Sequence, residues 1–169
     1  GIYGARDVTK VNAFKTDAFN SKDFGCLGYM RDDVPYFYNK TTKKHTTASV
    51  FDITNVEHLP KVGVAFFHCD ADPGVLQYLA DSCDGIVMAG AGNGASSTAW
   101  SDKMKELADK GEIIVRATRI GNGVVTPSAS SAHLVSSDTL NPQKARILLQ
   151  LALTQTKDLA QIAQYFTEY

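Results

Sequence analysis

The chain has 169 residues, 44% hydrophobic and 21% charged, with a formal net charge of −1. That balance fits one globular domain with a sizeable core and excludes a disordered or fibrous segment. Acids and bases are interspersed, so no basic stripe could hold a phosphate backbone, and no apolar run approaches the roughly 20 residues that span a bilayer; neither nucleic acid nor a membrane is an expected partner.

Residues 1 to 20 lack the basic start and apolar core of a signal peptide. The first residue is Gly1 rather than Met, from which an upstream portion of the protein is expected. Three cysteines, Cys26, Cys69 and Cys83, are too few and too unevenly spaced for a disulfide framework. Buried, inert thiols are expected.

In chain order, Phe24 to Met30 and Val34 to Tyr38 read as a β-hairpin around Arg31-Asp32-Asp33. A lone hairpin is marginal in water, so residues 1–38 are expected to end an N-terminal domain whose sheet the hairpin completes. Residues 39–60 open on a polar stretch and read as an interdomain linker. Residues 61–169 then alternate short apolar runs with helical periodicity, the pattern of an α/β domain with a Rossmann-like parallel sheet and crossover helices.

Lys61 to Phe67 is the first strand of that sheet. Asp72-Pro73 starts a helix with Val75, Leu76, Leu79, Ala80 and Cys83 on its apolar face. Asp84 to Ala89 is the second strand, followed by a glycine-rich turn and a helix carrying Trp100, Met104, Leu107 and Ala108, with Gly111 as its C-cap. Ile113 to Thr118 is the third strand, a polar loop runs from Gly121 to Ser131, and Leu134 to Ser136 is a fourth strand. Asn141-Pro142 caps a helix whose apolar residues, Ile147 and Leu151 among them, nearly encircle it, which predicts extensive burial. Asp158 and Gln161 have capping-box spacing at the start of a last helix with the stripe Leu159, Ile162, Ala163 and Phe166.

Ligands of an open parallel sheet bind beyond the C-terminal strand ends, where two loops stand out. Gly90 to Ser97 lets a ligand approach the backbone closely and offers the following helix's N–H groups to an anion. Gly90-Ala91-Gly92-Asn93-Gly94-Ala95 also satisfies the dinucleotide pattern G-x-G-x-x-A. The acid expected roughly 20 residues later is missing, and Arg116 and Arg119 occupy that region, which keeps an NADP phosphate open. The second loop, Arg119 to Ser131, offers hydroxyls and amides but no general base. His45, His58, His68 and His133 are scattered without metal-ligand spacing, and His68-Cys69-Asp70 with Asp72 reads as a capped turn, so no metal is expected.

Ala5-Arg6-Asp7-Val8-Thr9-Lys10, Leu59-Pro60-Lys61-Val62, Asp84-Gly85-Ile86-Val87, Gly92-Asn93-Gly94, Val115-Arg116 through Arg119, and the long run from Leu140-Asn141-Pro142 to Thr154 are spread over nearly the whole chain. On these residues the chain resembles the type II L-asparaginase family. The resemblance implies two α/β domains, no cofactor, a homotetramer of intimate dimers, and sites shared between the N-terminal domain of one subunit and the C-terminal domain of its neighbour. The implied reaction is hydrolysis of the side-chain amide of asparagine, and often glutamine, by threonine nucleophiles upstream of Gly1. A periplasmic or secreted location is implied too.

By the same resemblance Lys10 is the lysine of a Thr-Asp-Lys catalytic set, easing deprotonation of the nucleophile. Gly92, Asn93 and Gly94 support the loop that reaches the neighbour's substrate. Ala95 stands where family members carry Asn or Ser, with Ser96 next to it as a substitute, and Ser130 falls where the family's substrate-binding Glu is expected. No carboxylate occurs from Ile120 to Ser137. The expectation is amide hydrolysis with an altered hold on the α-amino end of the substrate. The competing readings are a nucleotide-binding or regulatory α/β module and a catalytically degenerate family member.

Overall fold

The computed structural model describes all 169 residues. Four short strands come first: β1 (Thr9–Lys10) pairs antiparallel with β2 (Phe19–Asn20), and β3 (Gly28–Arg31) with β4 (Val34–Phe37). The expected hairpin is present, closed by Asp32 and Asp33 at φ of 50° and 61°. Positive φ at both central residues is type I′ geometry, whose twist matches that of the strands it joins. The β1–β2 pair was not anticipated, because strands of two residues carry no alternation to read.

The remainder forms β5 (Val62–Phe66), α1 (Gly74–Ser82), β6 (Gly85–Gly90), α2 (Thr98–Asp109), β7 (Ile114–Thr118), β8 (Val135–Ser136), α3 (Pro142–Leu153) and α4 (Leu159–Glu168). The four strands are parallel in the order β5-β6-β7-β8. Each strand is added on the same side of its predecessor, so right-handed crossovers place α1 and α2 on one face. There Leu76, Trp100, Met104 and Leu107 pack on Ile86, Met88 and Ile114. On the other face Leu149, Ile162 and Phe166 of α3 and α4 pack on Val87, Val115 and Val135. Both faces are covered, which is why β6 reads as a continuous apolar run rather than an alternating one and why every residue of β7 is buried.

Local signals set the helix ends. Ser97 accepts from Trp100 N–H, Asn141 from Lys144 N–H and Asp158 from Gln161 N–H. Asp72 accepts from Gly74 N–H at 2.8 Å and terminates the expected capped turn. After α2, Gly111 at φ 95° donates to Ala108 O while Glu112 N–H reaches Leu107 O, a Schellman closure that favours glycine at that φ.

Four expectations need correcting. Val75 and Ile147 are exposed, at 40% and 50%, because the apolar arcs of α1 and α3 extend beyond the surface the sheet covers. The box at Asp158 is only half made: the Gln161 amide donates forward to the Tyr165 hydroxyl at 2.9 Å, and Thr156 Oγ1 receives the Asp158 N–H. The thiols are free but not buried as a set, since Cys69 is exposed and Cys26 and Cys83 are partly so.

Residues 1–60 are tied to the domain that follows. Arg6 donates to Asp138 at 2.8 Å, to Thr139 Oγ1 at 2.7 Å and to Phe166 O at 3.2 Å. The Lys144 ammonium of α3 donates to the carbonyls of Arg6 and Val8. Lys43 joins Arg6 on Asp138, Lys44 pairs with Glu168, and the Phe51 ring packs 5.1 Å from Tyr165 and 4.8 Å from Tyr169 between centroids.

Candidate functional site

Two loops meet at the C-terminal edge of the sheet, residues 91–97 after β6 and residues 119–134 after β7. The first is tight: Ala91 and Ala95 exchange both backbone hydrogen bonds, at 2.8 and 2.7 Å. That closure requires glycine at its base. Gly94 lies at φ 71°, and a Cβ there would meet Arg116 Cγ at 2.8 Å and Ala117 O at 3.2 Å. A Cβ on Gly90 would come within 2.5 Å of the Gly94 backbone.

Arg116 locks the two loops together. It is 8% exposed, at the centre of the buried β7. Its guanidinium donates to Asn93 O of the first loop, and to Thr126 O of the second at 2.5 Å. Asn93 adds a side-chain pair, accepting from Thr126 N–H at 2.9 Å and donating to Thr126 Oγ1 at 3.0 Å. Burial pushes the Arg116 guanidinium below its ordinary value, yet arginine retains its proton in proteins, so the bonds remain charge-assisted. The start of the second loop is held by Asp23, which accepts from Gly123 N–H at 2.7 Å and from the Asn122 amide at 3.3 Å.

Between the loops and the first turns of α2 lies an open cleft of about 400 Å³. It brings together Ala95, Ser96 and Ser130, which the sequence had placed 35 residues apart, along with Asn93 and Gly94. Ser96 Oγ lies 3.2 Å from Ser101 Oγ of α2, and Ser128 Oγ bridges Ser130 and Ser131 at 3.1 and 2.8 Å. Gly92, at the tip of the turn, is exposed and outside the cleft lining.

Lys10 lies elsewhere, exposed on β1, with its ammonium 5.9 Å from the Phe19 ring centroid and with Val11, Asn12 and Ala13 around a separate shallow depression. Thus the residues expected to hold substrate share one cleft, and the residue expected to act in catalysis is not among them. The sequence reading missed the staple made by Arg116 and the tether made by Asp23. The one available signal was an arginine inside a buried apolar strand, which must find internal acceptors.

The dinucleotide pattern is not met in three dimensions. A phosphate cradle needs the helix to start at the glycines, whereas α2 starts at Thr98 with its end already capped by Ser97. Arg116 is occupied by carbonyls and Arg119 donates to Phe67 O at 2.6 Å. His68 Nδ1 turns back onto Cys69 O at 2.8 Å.

A family model described as the glutaminase/asparaginase C-terminal domain matches residues 61–166. Across 99% of its length the chain is 43% identical to L-asparaginase 2 of Bacillus subtilis, covering 45% of that protein. It is 39% identical to a probable periplasmic L-asparaginase of Haemophilus influenzae, covering 50% of it, again over 99% of this chain. Similarity extends to the glutaminase-asparaginase of Pseudomonas fluorescens, 34% identical over 99% of this chain and 48% of that protein. The chain spans about half the length of the curated relatives it matches.

Proposed function

This chain belongs to the glutaminase/asparaginase family through its C-terminal domain, and from that premise we propose that it forms the C-terminal half of an amidohydrolase acting on the side-chain amide of asparagine, with glutamine as a further candidate substrate. The observation that carries this reading is the convergence of Ala95, Ser96 and Ser130 on one cleft, in a domain whose relatives are named for these two activities.

In the proposed enzyme an upstream half supplies the threonine nucleophile and an aspartate, and Lys10 completes that set, its ammonium taking part in proton transfer to and from the nucleophile. The cleft at residues 95–96 and 130 serves a neighbouring subunit within a homotetramer, so residues 1–169 alone are inactive. The separation of Lys10 from that cleft supports such sharing between subunits. Exposed aromatic side chains on residues 1–38, among them Phe14 at 95%, Phe37 at 63% and Tyr38 at 74%, support the assignment of that segment to a larger catalytic domain. A periplasmic or secreted location is supported by the name of the Haemophilus relative.

A catalytically degenerate family member is the second reading, favoured by Ala95 and Ser130. The deciding experiment is ammonia release by the full-length protein from L-asparagine and L-glutamine over a wide concentration range. Saturable release is expected; no release from either amide, with the assembly intact, overturns the hydrolase reading in favour of the degenerate one.

A further inference from the structure

The chain contains two Asn-Gly pairs, Asn93-Gly94 and Asn122-Gly123, one in each loop at the C-terminal edge of the sheet. In such a pair the glycine backbone nitrogen can attack the asparagine side-chain carbonyl, because no Cβ on the following residue blocks the approach. The attack requires a backbone free to bend and an acceptor for the proton on that nitrogen. The two loops differ in both respects.

Asn93 is held at both ends of its amide, accepting from Thr126 N–H at 2.9 Å and donating to Thr126 Oγ1 at 3.0 Å, while Arg116 holds its carbonyl. Gly94 is buried, and the mutual hydrogen bonds of Ala91 and Ala95 fix the turn around it. Asn122, by contrast, is exposed and lies outside any helix or strand. A Cβ on Gly121 or on Gly123 would find nothing within 4 Å, so the backbone on either side of Asn122 turns in open space. Asp23 Oδ2 accepts from Gly123 N–H at 2.7 Å, and Oδ1 accepts from the Asn122 side-chain amide at 3.3 Å. One carboxylate therefore touches both the nitrogen that would attack and the nitrogen that would leave.

We propose that Asn122-Gly123 is a site of spontaneous deamidation, with Asp23 as the proton carrier, and that the product unfastens the loop that Asp23 holds. Gly123 N gives its proton to the Asp23 carboxylate and bonds to Asn122 Cγ. The Cγ–Nδ2 bond breaks, and the proton passes from Asp23 to Nδ2, which leaves as ammonia. Water then opens the cyclic imide at either carbonyl, leaving aspartate or isoaspartate at position 122. The former donor to Asp23 is now a carboxylate, so a hydrogen bond is replaced by repulsion between like charges. Nothing in this step depends on the amidohydrolase reading.

The test is peptide mapping by mass spectrometry of the full-length protein during incubation at neutral pH, beside an unstructured peptide spanning residues 118–126, which lacks Asp23. Asn122 is expected to convert faster in the protein than in the peptide, and Asn93 to stay intact over the same period. Asp23→Asn, which keeps an acceptor but removes the base, is expected to slow conversion of Asn122 about tenfold, part of what a base matched to the working pH supplies. Equal conversion at the two asparagines, slower conversion of Asn122 in the protein than in the peptide, or an unchanged or faster rate in Asp23→Asn overturns the proposal. Asn122→Asp reads the consequence directly: hydrogen exchange at the Gly123 amide is expected to rise about five- to tenfold, the worth of one hydrogen bond. Unchanged protection there overturns the unfastening.

Discussion

Gly94→Ala and Gly92→Ala form a matched pair that isolates the close approach between the glycine turn and Arg116. Both glycines adopt positive φ, 71° and 47°, so alanine at either position incurs the left-handed penalty of about 1–2 kcal/mol. The methyl also narrows the unfolded ensemble, which returns about 0.4–1 kcal/mol. At Gly92 nothing lies within 4 Å of the added Cβ, and the net cost is therefore about 0–1.6 kcal/mol.

At Gly94 the same methyl reaches Arg116 Cγ at 2.8 Å and Cδ at 3.3 Å. The arginine is unable to swing aside without releasing Asn93 O and Thr126 O, so overpacking adds about 1–3 kcal/mol. Urea denaturation of the two variants beside the unaltered protein gives the difference directly, with Gly94→Ala expected to be less stable than Gly92→Ala by about 1–3 kcal/mol. Gly94→Ala is also expected to raise KM, because the displaced guanidinium loosens both walls of the cleft. Equal losses at the two positions would refute the claim that contact with Arg116, rather than backbone handedness, fixes the turn.

Two further outcomes are expected. Burial raises the Glu112 carboxyl above its ordinary value, Lys157 opposing, and its Oε1 has no partner. Its protonated form is thus favoured in the fold, and the destabilisation appears as pH rises from the unfolded-state pKa through the higher folded one and is constant above that. Glu112→Gln should raise Tm at pH 7, each kcal/mol gained appearing as about 2–4 °C in a chain of this size, with the gain vanishing in acid below the ordinary glutamate range; an equal gain at both pH values would refute the account. Lys144→Met, which removes both hydrogen bonds to the carbonyls of Arg6 and Val8, should cost about 1–2 kcal/mol and speed proteolysis of residues 1–10, as followed by mass spectrometry.

The helices and strands of the C-terminal domain were legible because each carries its own instructions. Asn141 and Asp158 mark helix starts, Gly111 marks an end, and the unbroken apolar run at β6 announces a strand covered on both faces. The edges of the apolar stripes were not legible: Val75 and Ile147 fit the helical period, but only the width of the sheet decides whether a partner lies above them. The site was legible to the level of its loops. Which residues of those loops meet depended on Arg116, whose acceptors are backbone carbonyls 10 and 23 residues away. Backbone carbonyls have no side-chain identity, so no pattern of residue types announces them. The role proposed for Lys10 comes only from the resemblance, since an exposed lysine on a two-residue strand has no local signature.

The clamp on the amino-terminal segment fixes how the molecule can move. Val8, two residues before Lys10, is pinned by α3, and Arg6 is pinned by the turn after β8 and the end of α4. Rotation of Lys10 against the sheet would have to break several charge-assisted bonds together, so this junction is a weld and not a hinge. Motion near the cleft must be carried by other parts, such as the exposed tip of the 119–131 loop.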